Sequence, residues 1–164
     1  MAKMDPALAR QMFSYESDTG LLRWKIAPNR KIKAGTIAGT KSKLGYVRVM
    51  IGQKSYMAHS LAWAIAYGTW PQQIDHQDRI RNNNRLDNLR LATASQNSLN
   101  RGVRKNNTSG FKGVSYAKQT GKWWARIVVN GSRQSLGLFN SAEEAARAYK
   151  AAEALHHKEW GIYT

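Results

Sequence analysis

Residues 102–109, Gly-Val-Arg-Lys-Asn-Asn-Thr-Ser, carry no apolar period, and the pattern of the chain differs on either side of them. A polar stretch of this kind reads as a linker. The chain is therefore expected to fold as two modules, residues 1–101 and 110–164, rather than around one core. Its 164 residues allow one ordinary domain or two small ones, and a hydrophobic share of 42% supplies material for real cores. No apolar run approaches the roughly 18 residues of a membrane span, and no signal-peptide core opens the chain. A cytosolic setting without a membrane partner is expected. There is no cysteine, which excludes a disulfide scaffold, a thiol nucleophile and a zinc site built on Cys pairs.

The charge is one-sided. With 26 Lys+Arg against 10 Asp+Glu the formal net charge is +16. Between Asp18 and Asp75 there is no acid, while Arg23, Lys25, Arg30, Lys31, Lys33, Lys41, Lys43, Arg48 and Lys54 are basic. A second acid-free stretch runs from Arg104 to Ser141. An idle solvated surface mixes both signs. Two one-signed stretches point to phosphate-backbone contact.

Local patterns give a mixed α+β chain. Residues 1–12 read as a helix with Met4, Leu8 and Met12 on one side. Short strands are expected at 21–26, 45–51 and 53–57, with glycines marking the turns. The apolar run 58–67 has helical composition and stops at Gly68. A polar, Asn-rich loop at 77–88 follows Ile74-Asp75-His76, then a strand at 89–92 and a helix to about Arg101. Beyond the linker, strands are expected at 111–116, 123–129 and 133–139, with a turn at Asn130-Gly131. A helix then opens on a capping box, Ser141 with Glu144, and carries an Ala-rich face.

Asp75 and His76 stand together at the end of an apolar strand, where adjacent side chains point to opposite faces. Asp75 is placed to take a metal and His76 to face a phosphate. Asn97, on the following helix, offers a second oxygen, and Asn88 a carbonyl to orient the imidazole. Oxygen ligands with open positions suit Mg²⁺ or Mn²⁺. An Asp-His pair alone is more often structural. The whole run from Ile74 to Asn97, however, closely resembles the HNH motif of phage-borne and intron-borne homing endonucleases, and the resemblance extends upstream through Tyr15–Trp24, Gly45–Val49 and His59–Ala64. It implies two strands and a helix around one divalent ion, with Asp75 and Asn97 as metal ligands, His76 as general base and Asn88 as the residue that fixes the base. His59 matches a recurrent histidine read as structural or as a phosphate contact. Asp78 and Asp87 read as solvated turn residues, and Asn82, Asn83 and Asn84 as loop supports. Lacking cysteine, the chain is expected to hold its loop by hydrogen bonds and packing, without a structural zinc.

In the C-terminal part, alternation puts Trp123, Ala125, Ile127 and Val129 on a face suited to the Ala-rich helix. Trp124 and Arg126 fall on the other. With Leu136 and Leu138 assigned to the core, Arg133 and Ser135 join the outer face. Such a basic, aromatic sheet face suits a DNA groove, with Lys112, Lys118 and Lys122 meeting phosphates. Trp124 is as well suited to plain strand packing as to the groove. The segments Gly110–Val114, Gly121–Ile127 and Leu136–Tyr149 resemble the AP2/ERF DNA-binding domain of plant regulators. That resemblance implies DNA contact by Arg126 and Arg133. Ser115 and Ser135 stand where plant members place Arg and Trp, so the same target sequence is not implied.

Together these readings predict an HNH nuclease module followed by a three-stranded antiparallel sheet packed on one helix. The expected activity is metal-dependent cleavage of duplex DNA by an endonuclease of homing type from a phage or other mobile element, acting in the host cytoplasm and without a small-molecule substrate. The alternative is a DNA-binding regulator that does not cut.

Overall fold

A computed structural model describes residues 3–103, 106–129 and 131–156. The chain divides into two compact units, Met1–Ala94 and Ser95–Thr164. The division falls before the polar stretch 102–109. That stretch is not an open linker from Asn107 onward: Asn107 Oδ1 accepts from the Gly110 amide at 2.8 Å, and the Ser109 hydroxyl donates to the Val114 carbonyl at 2.9 Å. Short polar side chains close such turns onto their own backbone. The turn residue Asn130 lies outside the described residues.

In the first unit, helix α1 is Pro6–Met12, shorter than the expected 1–12, because Asp5 caps it by accepting from Ala7 N at 2.8 Å and Pro6 takes its first turn. Strands β1 (Phe13–Glu16) and β2 (Leu21–Trp24) form an antiparallel hairpin with Phe13 opposite Trp24. β1 was not expected as a strand. Strands β3 (Thr40–Lys41), β4 (Val47–Ile51) and β5 (Lys54–Met57) form an antiparallel sheet in that order. Helix α2 spans Ala58–Tyr67 and closes at Gly68, as the composition indicated.

α2 organises the unit because it is apolar on two sides. Ala58 and Leu61 pack into a core with Phe13, Leu22, Trp24, Val49 and Tyr56. Ala62 packs instead against Ile74 and Leu89. These last two belong to strands β6 (Ile74–His76) and β7 (Leu89–Leu91), an antiparallel pair in which Asp75 faces Arg90 and His76 faces Leu89. A 3₁₀ turn, Leu86–Asn88, leads into β7, and helix α3, Ala94–Leu99, follows it. Burying Ile74 and Leu89 against Ala62 contributes roughly 1.5–3 kcal/mol for each of the two larger side chains, which ties the short β6–β7 pair to α2.

In the second unit, β8 (Val114–Ala117), β9 (Lys122–Val129) and β10 (Ser132–Phe139) form an antiparallel sheet with β9 in the middle. Helix α4, Ala142–His156, packs on it through Ala145 and Ala146 against Val114 and Ala125. Ser141 Oγ caps the Glu144 amide at 3.1 Å, and the Glu144 carboxylate accepts from Asn140 N at 3.2 Å. Gly113 sits at φ 73°, and a Cβ there would fall 2.1 Å from the Tyr149 ring, so only glycine lets the helix lie this close.

One assignment of faces is corrected. Leu138 is not in the core: it stands opposite Trp124 and is 45% exposed. The register shifts between Ser135 and Gly137. An extra residue in a strand inverts the alternation beyond it, so Leu136 turns inward and Leu138 outward.

Candidate active site

Asp75 and His76 are both buried, 4% and 5% exposed, at the end of β6. The Asp75 carboxylate is met by its cross-strand neighbour: Arg90 Nη2 and Nε lie 2.8 and 2.9 Å from Oδ2. This ion pair follows from the register of β6 on β7, since opposite charges directly across a strand pair attract.

After His76 the chain enters a loop tied by its own polar side chains. Gln77 N donates to the Asn88 carbonyl at 2.9 Å. Asn88 Oδ1 accepts from Asp78 N, and its Nδ2 donates to Asp78 Oδ1 and to the Asn83 carbonyl. Asn83 Nδ2 reaches Asp78 Oδ2 at 2.6 Å. Asp78 is therefore an acceptor hub and not a solvated turn residue. Asn88 is committed, among the described residues, to Asp78 and Asn83 and not to the imidazole it was expected to orient. Its amide closes the loop through Asp78 and Asn83. Asp87 is a surface residue, paired with Arg85 at 2.7 Å.

The side chain at His76 is Asn84. Its Oδ1 lies 3.1 Å from Nε2, and both residues are buried. The His59 ring stands edge-on to His76, centroids 5.1 Å apart, and Tyr46 lies 5.7 Å from His59 and 5.9 Å from His76. The Arg81 guanidinium covers the Tyr46 ring at 5.1 Å and donates to the Leu44 carbonyl at 2.9 Å. Burial lowers the proton affinity of His76; the Asn84 bond and the Asp78 and Asp75 charges oppose this, and Arg81 adds to it. Burial pushes His59 down to about 3, with the neighbouring His76 contributing. The site thus holds neutral imidazoles at neutral pH, the form of His76 that carries a basic lone pair.

Sequence reasoning missed Tyr46, Arg81 and Arg90 here, and read Asn84 only as a loop support. Arg90 alone had a legible signal, as the residue that a β6–β7 pairing brings opposite Asp75. Asn97 lies on α3, half-buried, in the second unit.

The second unit presents the outer face of its sheet. Arg126 lies over the Trp124 ring at 4.3 Å and donates to Ser115 Oγ at 3.1 Å, while Trp124 Nε1 donates to Ser135 Oγ at 2.8 Å. Arg133 is exposed opposite Val128, and Lys118 and Lys122 are exposed around the β8–β9 turn. Lys112 is different: its Nζ lies 2.6 Å from the buried Glu153 carboxylate. Its charge is used inside the unit rather than offered to phosphate, because the turn at Gly113 brings it under α4. Beside this face a cleft of about 360 Å³ is bordered by Arg101, Asn107, Arg126 and Arg133.

No helix among the described residues is long and apolar enough to cross a membrane. The sequence profile of the HNH endonuclease family matches residues 56–99, which run from β5 through α2, β6 and β7 to α3. The chain is 35% identical over 105 residues to Protein 3.8 of Escherichia phage T7, spanning 63% of this chain and 87% of that protein. It is 37% identical over 76 residues to the Uncharacterized HNH endonuclease L560 of Acanthamoeba polyphaga mimivirus, spanning 46% of this chain and 38% of that protein. No solved structure matches it. On the span and identity of the first of these relatives, and on the profile that covers Asp75 and His76, the chain belongs to the family of phage T7 Protein 3.8 and carries an HNH endonuclease domain at residues 56–99.

Proposed function

We propose that the protein is a divalent-metal-dependent endonuclease of homing type that hydrolyses phosphodiester bonds in duplex DNA, with its second unit, an AP2-like module, gripping the DNA. The observation that carries the reading is the buried Asp75–His76 pair at the end of β6, with the imidazole lowered in proton affinity and held by a side-chain hydrogen bond. A neutral, oriented histidine is a general base for water. In this reading His76 takes the proton from the attacking water, and Asn88 serves by tying the loop that follows it.

HNH nucleases generally use a divalent metal, and the oxygen of a buried carboxylate such as Asp75 suits a hard cation. Asp75 is a buried carboxylate at the strand end whose Oδ2 is paired with Arg90. Asp75 would hold Mg²⁺ or Mn²⁺, and the resemblance of the sequence motif names Asn97 as the second proposed ligand. When bound, such an ion stabilises negative charge developing on the phosphate and the leaving oxygen. His59, its ring edge-on to His76, is the proposed structural neighbour of the base or a phosphate contact.

The AP2-like part of the proposal is supported by the sequence resemblance and by the ordered Trp124–Arg126–Ser135 face. Arg126 and Arg133 are its proposed base-reading residues, with Lys118 and Lys122 on phosphates. The test is incubation with supercoiled plasmid or phage DNA. Nicked or linear product with Mg²⁺ or Mn²⁺, and none in EDTA or with His76→Ala, is expected. Tight binding without any product in either metal identifies the non-cleaving regulator instead.

A further inference from the structure

The outer face of the second unit's sheet is cationic, yet it carries hydrocarbon on its central strand. Trp124, on β9, is 36% exposed, and Leu138, opposite it on β10, is 45% exposed. The bulge is what turns Leu138 outward: the register shifts between Ser135 and Gly137, and Gly137 sits at φ 120°, a conformation that residues with side chains rarely adopt. A face that met only phosphates would gain nothing from hydrocarbon there.

The polar capacity of Trp124 is already used. Its Nε1 donates to Ser135 Oγ at 2.8 Å. Arg126 lies over its ring at 4.3 Å and donates to Ser115 Oγ at 3.1 Å. The indole is thereby fixed, with its one donor spent. What it offers a partner together with Leu138 is apolar contact. The two side chains border one open hollow of about 570 Å³, with Ser115, Lys118 and Arg126 around them. The charge about this hollow has one sign. No acid occurs between Arg104 and Ser141, and Lys118, Lys122, Arg126 and Arg133 lie on β9, β10 and the β8–β9 turn. Such a surround complements the phosphate-flanked groove of a duplex.

We propose that Leu138 and Trp124 read thymine: the C5-methyl group of a T·A pair, presented in the major groove, enters the hollow against their hydrocarbon. This rests on the reading of the second unit as the module that grips DNA. The base edges in the major groove display hydrogen-bond donors and acceptors, and the thymine methyl is the apolar group among them. Hydrocarbon gains free energy only where it removes apolar surface from water, so it separates thymine from the other bases without any hydrogen bond. Leu138 and Trp124 are specificity-determining residues in this scheme, while the arginines and lysines supply charge and hydrogen bonds.

The test uses the full chain in EDTA, so that binding is read without cutting. The preferred duplex is selected from a DNA library of randomised sequence, and a site with at least one fixed thymine is expected. Each fixed thymine is then replaced by uracil, which removes the methyl group and keeps the base pair. At one position this should weaken binding roughly 3- to 5-fold, the scale of one buried methyl group. Leu138→Ala, its folding checked by thermal unfolding, should bind the thymine duplex more weakly by a similar factor and be indifferent to uracil at that position. Leu155→Ala, at an exposed leucine of α4, should keep the full discrimination. A selected site without a fixed thymine overturns the proposal, as does one that tolerates uracil at every position. Discrimination that survives intact in Leu138→Ala overturns it too. In those cases a preferred sequence still exists and the reading of the second unit stands. Binding without any preferred sequence, or no binding, fails that reading and the proposal together.

Discussion

His59 and His76 face each other across 5.1 Å, and burial lowers the proton affinity of both. An unfolded histidine titrates near 6.5, and folded His59 near 3. Between those values the unfolded chain binds more protons than the folded one, so stability rises with pH through this window and is lost as pH falls. Urea unfolding is expected to show a midpoint that declines on acidification below about 6.5, the ordinary histidine value. His59→Gln should flatten that decline. At the same scale, Asp75 and Arg90 are unequal partners, their side chains 5% and 20% exposed. Arg90→Ala removes a cation from beside the buried Asp75 carboxylate and should lower the urea midpoint. Asp75→Ala leaves a guanidinium that can turn toward water, and should cost less stability while abolishing cleavage. For the proposed base, His76→Ala is expected to lower the cleavage rate roughly 10²–10⁴-fold with DNA binding unchanged in a gel-shift titration.

At the scale of elements, the β10 bulge decides what the second unit shows to a partner. By inverting the alternation after Ser135 it brings Leu138 beside Trp124 on the outer face, adding an apolar edge to the Arg126–Trp124 stack. The lysines of this region then separate into two roles. Lys122 is exposed at the start of β9, and Lys122→Ala should weaken binding to all DNA sequences alike and reduce the slope of log K against log salt by about 1. Lys112 is bound to buried Glu153 at 2.6 Å, and Lys112→Ala should leave that slope unchanged while lowering the melting temperature. A salt-slope change of equal size in both variants would show that Lys112 leaves Glu153 for phosphate. Ser141→Ala removes the α4 cap and is expected to cost about 1 kcal/mol, measured by urea unfolding.

At the scale of the whole molecule, each unit has its own core, one around Phe13, Trp24 and Leu61 and the other around Val114, Ala125 and Ala145. A fragment ending at residue 104 keeps the entire first unit. It is expected to unfold cooperatively and to retain metal-dependent cutting while losing most of its DNA affinity. Arg126→Ala and Arg133→Ala in the full chain should each cost about 1–3 kcal/mol on the preferred sequence and less on random DNA. Equal affinity of the fragment and the full chain for one site would move recognition to the basic strands of the first unit.

Much of this was legible in residue order because it depends on local chemistry. Gly68 ends α2, Ser141 opens α4, and the excess of 26 basic over 10 acidic residues points to phosphate, each for reasons contained within a few residues or in the composition. Asp75 and His76 stood out because two chemically capable groups are adjacent at a strand end. Tertiary structure alone decided the rest. Asn84 rather than Asn88 touches His76, because loop closure places one amide inward and spends the other on Asp78. Tyr15 reaches Asn84 across 69 positions of sequence, a contact that no periodicity encodes. Leu138 faces outward because a single bulge, invisible in an alternating pattern, displaces the register. Propensity and spacing act over a turn or a strand, whereas the partner of a buried polar group is chosen by which elements the hydrophobic cores press together.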